Sequence, residues 1–129
     1  MIDTIEDSQR ARAIIWSTLK MHMPSLTADT FIQKTQGFKF HTVGIEGAVM
    51  INGAEIHYAR LPEYKGRCLT KTKIREHIKP ILDEYGYAFT MVRKENKIGD
   101  IFVRRIGFKK IGEQDTLNLY VLEESKYVS

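Results

Sequence analysis

The chain of 129 residues holds one cysteine, one tryptophan and three prolines, and the scarcities exclude several possibilities. A lone Cys68 rules out an intrachain disulfide, so the fold must rest on its core. It also fits a reducing compartment, and a cytoplasmic location is expected. No apolar stretch approaches the roughly 18 to 20 residues that span a bilayer, which excludes a transmembrane helix. The N-terminal MIDTIEDSQR is polar and acidic, where a secretory signal is basic and then apolar. His22, His41 and His77 are scattered, with no second cysteine and no clustered carboxylates, so no metal site is expected. No Gly/Ser linker, low-complexity tract or long repeat marks a boundary. The length suits a single domain over residues 1–129 with a sizeable core.

What is present is charge, unevenly placed. The net charge is +4, yet Arg60, Lys65, Arg67, Lys71, Lys73, Arg75 and Lys79 crowd one span. Arg93, Lys94, Lys97, Arg104, Arg105, Lys109 and Lys110 form a second, while Glu113, Asp115, Glu123 and Glu124 make the tail acidic. Two basic stretches suit a polyanion such as a phosphorylated cofactor; a solvated basic face is the plain alternative. Nucleic acid is the weaker partner, because no recognition motif accompanies the charge.

Apolar periodicity predicts helices over 3–23 and 26–35, the first capped by Asp3 or Asp7 and the second contributing Phe31 and Ile32. The period then falls to two. Strands are expected over 38–45, 48–51 and 54–61, with turns at Glu46-Gly47 and Asn52-Gly53. A helix over 69–85 carries Pro80 within it, which costs a hydrogen bond. Residues 87–93 read as a buried strand and 97–106 as a short helix ended by Gly107. One or two strands finish the chain, with Leu117, Leu119 and Val121 alternating against Asn118, Tyr120 and Leu122. The order is that of a mixed α/β domain.

Two stretches carry a further signal. In IHYARLPEYKGRCLT a strand runs into a basic loop and then a helix start, and NKIGDIFVRRIGF follows the next strand. Together they resemble the GNAT family of N-acetyltransferases. Lys65 stands at the basic or amide position of that family's loop motif, with Cys68 and Thr70 where it has glycines. Asn96, Gly99, Phe102, Gly107 and Phe108 match the later signature, while Val103 stands in place of its tyrosine. The likeness covers about residues 38 to 122, and no clear first strand is found. Size and degenerate motifs also resemble small acetyltransferase-like proteins of some tailed phages.

The resemblance implies a GNAT-like acyl-CoA N-acyltransferase fold: a central mixed, mostly antiparallel sheet flanked by helices. It implies acetyl-CoA, or CoA, as cofactor and an amine of a protein or small molecule as acceptor, with a dimer among the possible assemblies. The implied cofactor-binding residues are Arg60, Lys65, Gly66, Arg67, Cys68, Leu69, Thr70, Lys71, Asn96 and Phe102, although Phe102 and Phe108 as residue types belong in a core. Helix-start amides suit a pyrophosphate. Cys68 and Thr70 oppose it, since a left-handed conformation at a non-glycine residue costs roughly 1–2 kcal/mol. The Thr70 hydroxyl and its neighbouring cations offset part of that.

Transfer needs a base. Glu55 and His57 lie two apart on one predicted strand and so project from one face, with a polar strand edge as their alternative role. Glu63 is a further acid, exposed by default. Val103 removes the family's general acid, and Tyr58, Tyr64 and Tyr120 are the tyrosines left to replace it. Two readings stand: an acetyl-CoA-dependent N-acetyltransferase, or a catalytically weak interaction protein of the same fold, virion-associated or directed at a host factor.

Overall fold

A computed structural model describes residues 5–44, 47–60 and 71–123. The elements run α1 (Ile5–His22), α2 (Ala28–Lys34), β1 (Lys39–Val43), β2 (Gly47–Asn52), β3 (Glu55–Arg60), α3 (Lys71–Tyr85), β4 (Tyr87–Arg93), α4 (Lys97–Ile106), β5 (Lys109–Gln114) and β6 (Leu117–Glu123). The strands form a six-stranded sheet in the order β1-β2-β3-β4-β6-β5. β3 and β4 are parallel, whereas β1/β2, β4/β6 and β5/β6 are antiparallel. The expected mixed sheet flanked by helices is therefore found. No described helix is long and apolar enough to cross a membrane, and no group of metal-ligating side chains occurs among the described residues.

The chain divides into two compact units, and β3 contributes to both. In the first unit, Ala11, Ile14 and Ile15 of α1 meet Phe31, Phe40, Ala48 and Ala59 in one buried cluster. Trp16 packs its ring edge-on to Phe31 at 5.2 Å, so the tryptophan is a packing residue. Each such large apolar side chain contributes about 1.5–3 kcal/mol when fully buried. Thr27 caps α2 by accepting from the Thr30 amide. Ile32, expected to share the apolar face with Phe31, is 52% exposed, because α2 is too short to bury more than one stripe.

Asp7 does not cap α1. It lies inside the first turn and accepts from the amide and hydroxyl of Thr42, while Arg10 donates to the Gly44 carbonyl at 2.9 Å. β1 is an edge strand, and these two α1 side chains satisfy groups that a neighbouring strand would otherwise pair.

In the second unit the two faces of β4 and β6 differ. Ala88, Thr90, Tyr120 and Leu122 are 0–6% exposed, and they share a face because Ala88 pairs with Leu122 and Thr90 with Tyr120. α3 and α4 pack against β4. The alternation predicted for β6 is thus present: Tyr120 and Leu122 are buried and Leu117, Leu119 and Val121 half-exposed. The hydrophobic period alone cannot tell which of two apolar faces a helix covers. α3 continues through Pro80, which is exposed, and Gly107 ends α4 at φ 126°, a conformation that favours glycine. Gly47 belongs to β2 rather than to a turn.

The buried Tyr120 hydroxyl donates to Asp100 in the first turn of α4, and Arg104 donates to the same carboxylate at 2.9 Å. The Tyr120 bond and then Arg104 hold the Asp100 carboxyl below its ordinary range; burial and then the Asp100 bond push the Tyr120 phenol up. A depressed carboxyl stabilises the fold above the ordinary aspartate range, and that contribution is lost as pH falls through the lowered value. A raised phenol stabilises below the ordinary tyrosine pKa, and that is lost as pH climbs through the raised value. The difference in urea midpoint between wild type and Tyr120→Phe should therefore be largest between about pH 5 and 9 and shrink towards both extremes. A gap that stayed constant with pH would show that the hydroxyl contributes packing alone.

Candidate active site

The predicted site residues divide into those described and those outside the described residues. Lys65, Gly66, Arg67, Cys68, Leu69 and Thr70 lie outside, as do Glu63 and Tyr64, and of Lys71 only its place at the start of α3 is described. Arg60 is exposed at the end of β3. Glu55 and His57 are both half-buried on β3, two residues apart on one strand. The His57 ring lies tilted against Phe38 at 6.0 Å, so its surroundings are aromatic. Glu55 stands in register with Phe89 of β4, which places both side chains on one face of the parallel pair.

α3 begins with Lys71 and Lys73 and has no acid in its first turn, whereas α1, α2 and α4 each have one. The macrodipole favours negative charge at a helix start. This donor set fits a phosphorylated group: amides at a helix start, reinforced by the exposed Lys73.

Asn96 is the N-cap of α4, and its side-chain oxygen accepts from the Gly99 amide at 2.9 Å. Gly99 is confined by the same contact. A Cβ there would lie 2.6 Å from Asn96 Nδ2 and 3.1 Å from Val92 Cγ1. Phe102 and Val103 are half-buried on α4, while Phe108 is 5% exposed and belongs to the core. Phe102 is therefore not the fully buried residue its type suggested.

The residue that sequence reasoning placed too loosely is Tyr120. It stood among tyrosines able to protonate a leaving group, but its hydroxyl is committed to Asp100. Asp100 itself was not singled out, and a carboxylate four residues before Arg104 on a helix was the available signal. Ile98 and Ile101, 81% and 50% exposed on α4, were not singled out either.

No known family model matches this chain, and no characterised protein matches it in sequence. Solved structures do match in fold. Ribosomal-protein-S5-alanine acetyltransferase from Vibrio fischeri superposes with a TM-score of 0.72 at 11% identity, over 100% of this chain and 94% of that one. Spermidine N-acetyltransferase from Vibrio cholerae, in complex with CoA and spermine, gives 0.69 at 14% identity, over 98% and 95%. PaiA N-acetyltransferase from Thermoplasma acidophilum, in complex with coenzyme A, gives 0.66 at 14%, over 94% and 95%. These structures lend no support to the likeness with tailed-phage proteins.

The Asn96–Gly99 contact makes a quantitative expectation. Asn96→Ala should cost about 1 kcal/mol for the lost cap. Gly99→Ala should also destabilise, although alanine is intrinsically about 1 kcal/mol better in a helix. Placed in the Asn96→Ala background, Gly99→Ala should become near neutral or stabilising, a coupling of roughly 0.5–1 kcal/mol in denaturant unfolding. Strictly additive effects would mean that the Gly99 Cβ does not meet Asn96. The helix order, the strand order and near-complete coverage in these superpositions agree on one point: the chain has the acyl-CoA N-acyltransferase fold of the GNAT acetyltransferases.

Proposed function

We propose that the protein is an acetyl-CoA-dependent N-acetyltransferase of one domain, acting on an amine of a small molecule or protein. The observation that carries the reading is the fold likeness across essentially the whole chain to N-acetyltransferases, two of them in complex with coenzyme A. The start of α3, which carries no acid in its first turn, supports it independently. Bound acetyl-CoA supplies the acyl group as a thioester. Lys73 and the first amides of α3 hold phosphate oxygens, assisted by Lys65 to Thr70 and Lys71. Arg60 adds a cation at the end of β3. Asn96 fixes the start of α4 by capping it, which sets where Phe102 lies.

The acceptor must be neutral to attack. Glu55, with His57 as the alternative, takes the proton from the ammonium, directly or through a water. The neutral amine would then form the amide with the acyl group that acetyl-CoA supplies, its second proton passing through solvent to the departing sulfur, because Val103 offers no acid there. That substitution favours a second reading, in which the fold persists as an interaction protein with little turnover, virion-associated or host-directed.

Calorimetric titration with coenzyme A separates the two. Binding that is weakened tenfold or more by Lys65→Glu is expected, and no heat at millimolar coenzyme would sink the enzyme reading. With any accepted amine, Glu55→Gln or His57→Ala should lower kcat by about 10²–10⁴, whichever is the base. Unchanged rates in both would remove that strand face from the mechanism. Val103→Tyr should raise kcat by supplying the missing acid.

A further inference from the structure

The face of β4 and β6 turned away from α3 and α4 is apolar and half open. Phe89 pairs with Val121 and Met91 with Leu119, and all four are half-exposed, while Tyr87 is 44% exposed. On the opposite face the corresponding positions are 0–9% exposed at Ala88, Thr90, Val92, Tyr120 and Leu122. The contrast is between neighbours on the same strands, so the strand's position in the sheet does not explain it. Tyr87 and Phe89 stack their rings with centroids 6.4 Å apart and planes 23° apart. Glu55, in register with Phe89, sets a carboxylate at the margin of this aromatic pair.

From these positions we infer that the acceptor is a primary amine carried on an aromatic or bulky aliphatic body, and not a polyamine; the inference rests on the transferase reading above. The ammonium group is matched by Glu55 and by the adjoining aromatic faces, which attract cations. The body of the acceptor covers Phe89, Met91, Leu119 and Val121, where burial of apolar surface is favourable. Charge argues against a polycation. The row that begins at Glu55 continues through Phe89 and Val121 to Lys109, because Lys109 pairs with Val121. A second ammonium extending along that row would sit on apolar side chains and then against a like charge. Glu123 lies on the same face beside Tyr87, at its rim rather than in its centre.

In the transfer step the acceptor ammonium would give one proton to Glu55, the nitrogen would form the amide bond as the carbon–sulfur bond of the thioester breaks, and its second proton would pass through solvent to the sulfur, so that the thiol leaves. Only the acceptor body distinguishes one amine from another. Truncating the platform should therefore change KM more than kcat.

The experiment compares initial rates at saturating acetyl-CoA for 2-phenylethylamine and for spermidine, alongside calorimetric titration with coenzyme A. A kcat/KM for 2-phenylethylamine at least about tenfold above that for spermidine is expected, as is a KM raised about tenfold by Phe89→Ser and recovered by Phe89→Leu. Should Phe89→Ser fail to fold, Met91→Gln on the half-exposed neighbour is expected to raise KM in the same way. A preference for spermidine overturns the inference, and so does acetylation of neither amine by protein that binds coenzyme A. A stable dimer that Met91→Gln dissociates also overturns it, since the face would then be buried between copies. Failure of the unmutated protein to bind coenzyme A is a separate result, which refutes the transferase reading and this inference with it.

Discussion

A phenol with no exposed surface cannot be left without a hydrogen-bond partner, and Tyr120 has one partner of note, the Asp100 carboxylate. That constraint organises much of the second unit. Asp100 lies in the first turn of α4, so the bond ties the helix start to β6. The helix end is fixed separately: Gly107 turns the chain at positive φ, and a Cβ there would come within 3.2 Å of Leu122. With both ends of α4 referred to β6, the orientation of the whole helix is determined by buried groups rather than by its exposed charges. Arg104 joins the same carboxylate and lies 5.8 Å from the Tyr120 ring, adding a charged hydrogen bond at the surface of the anchor. Exposed ion pairs such as Arg93–Glu95 and Lys94–Glu113 add little by comparison, because water and salt screen them.

Fixing α4 on one face of β4 and β6 has a consequence for the other. Side chains alternate along a strand, so a helix that closes the positions of Ala88, Thr90 and Val92 leaves Tyr87, Phe89 and Met91 on the opposite side. On β4 the buried face is filled by small and branched residues, Ala88, Thr90 and Val92, that admit helices closely. The half-open face instead carries large flexible or aromatic groups. Such groups retain apolar surface that a ligand can cover. Glu55 belongs to this second face by register, not by sequence proximity, which is how one strand pairing brings a carboxylate to an apolar platform.

Much of this was legible in the sequence. Strand β4 and helix α4 fall at the predicted residues, and the other predicted helices and strands agree to within one or two residues at the ends that lie among the described residues, because hydrophobic period and punctuation by glycine act locally. The resemblance to GNAT proteins, resting on Asn96, Gly99, Gly107 and Phe108, anticipated the fold. What could not be read was partnership at long range. Asp7 looked like a cap because acids start helices, yet its carboxylate serves Thr42, thirty-five residues away. Tyr120 looked available for catalysis because nothing local shows that a helix will cover it. Asp115, which adopts φ 50° between β5 and β6, gave no glycine to announce the turn.

The same distinction between local and distant causes bears on how the family motifs should be weighed. Asn96 caps α4, Gly99 admits the Asn96 side chain, Gly107 ends the helix and Phe108 fills the core, so folding alone accounts for each. Their presence is thus strong support for the fold and weak support for turnover. The departures fall elsewhere. By the family's pattern, Cys68 and Thr70 stand at glycine positions of the cofactor loop, and Val103 at the position of its tyrosine. Under the proposed reading, activity rests on the start of α3 and on Glu55 and His57 of β3. Of these, the start of α3 is the more informative, because α1, α2 and α4 each carry an acid in the first turn and α3 carries none.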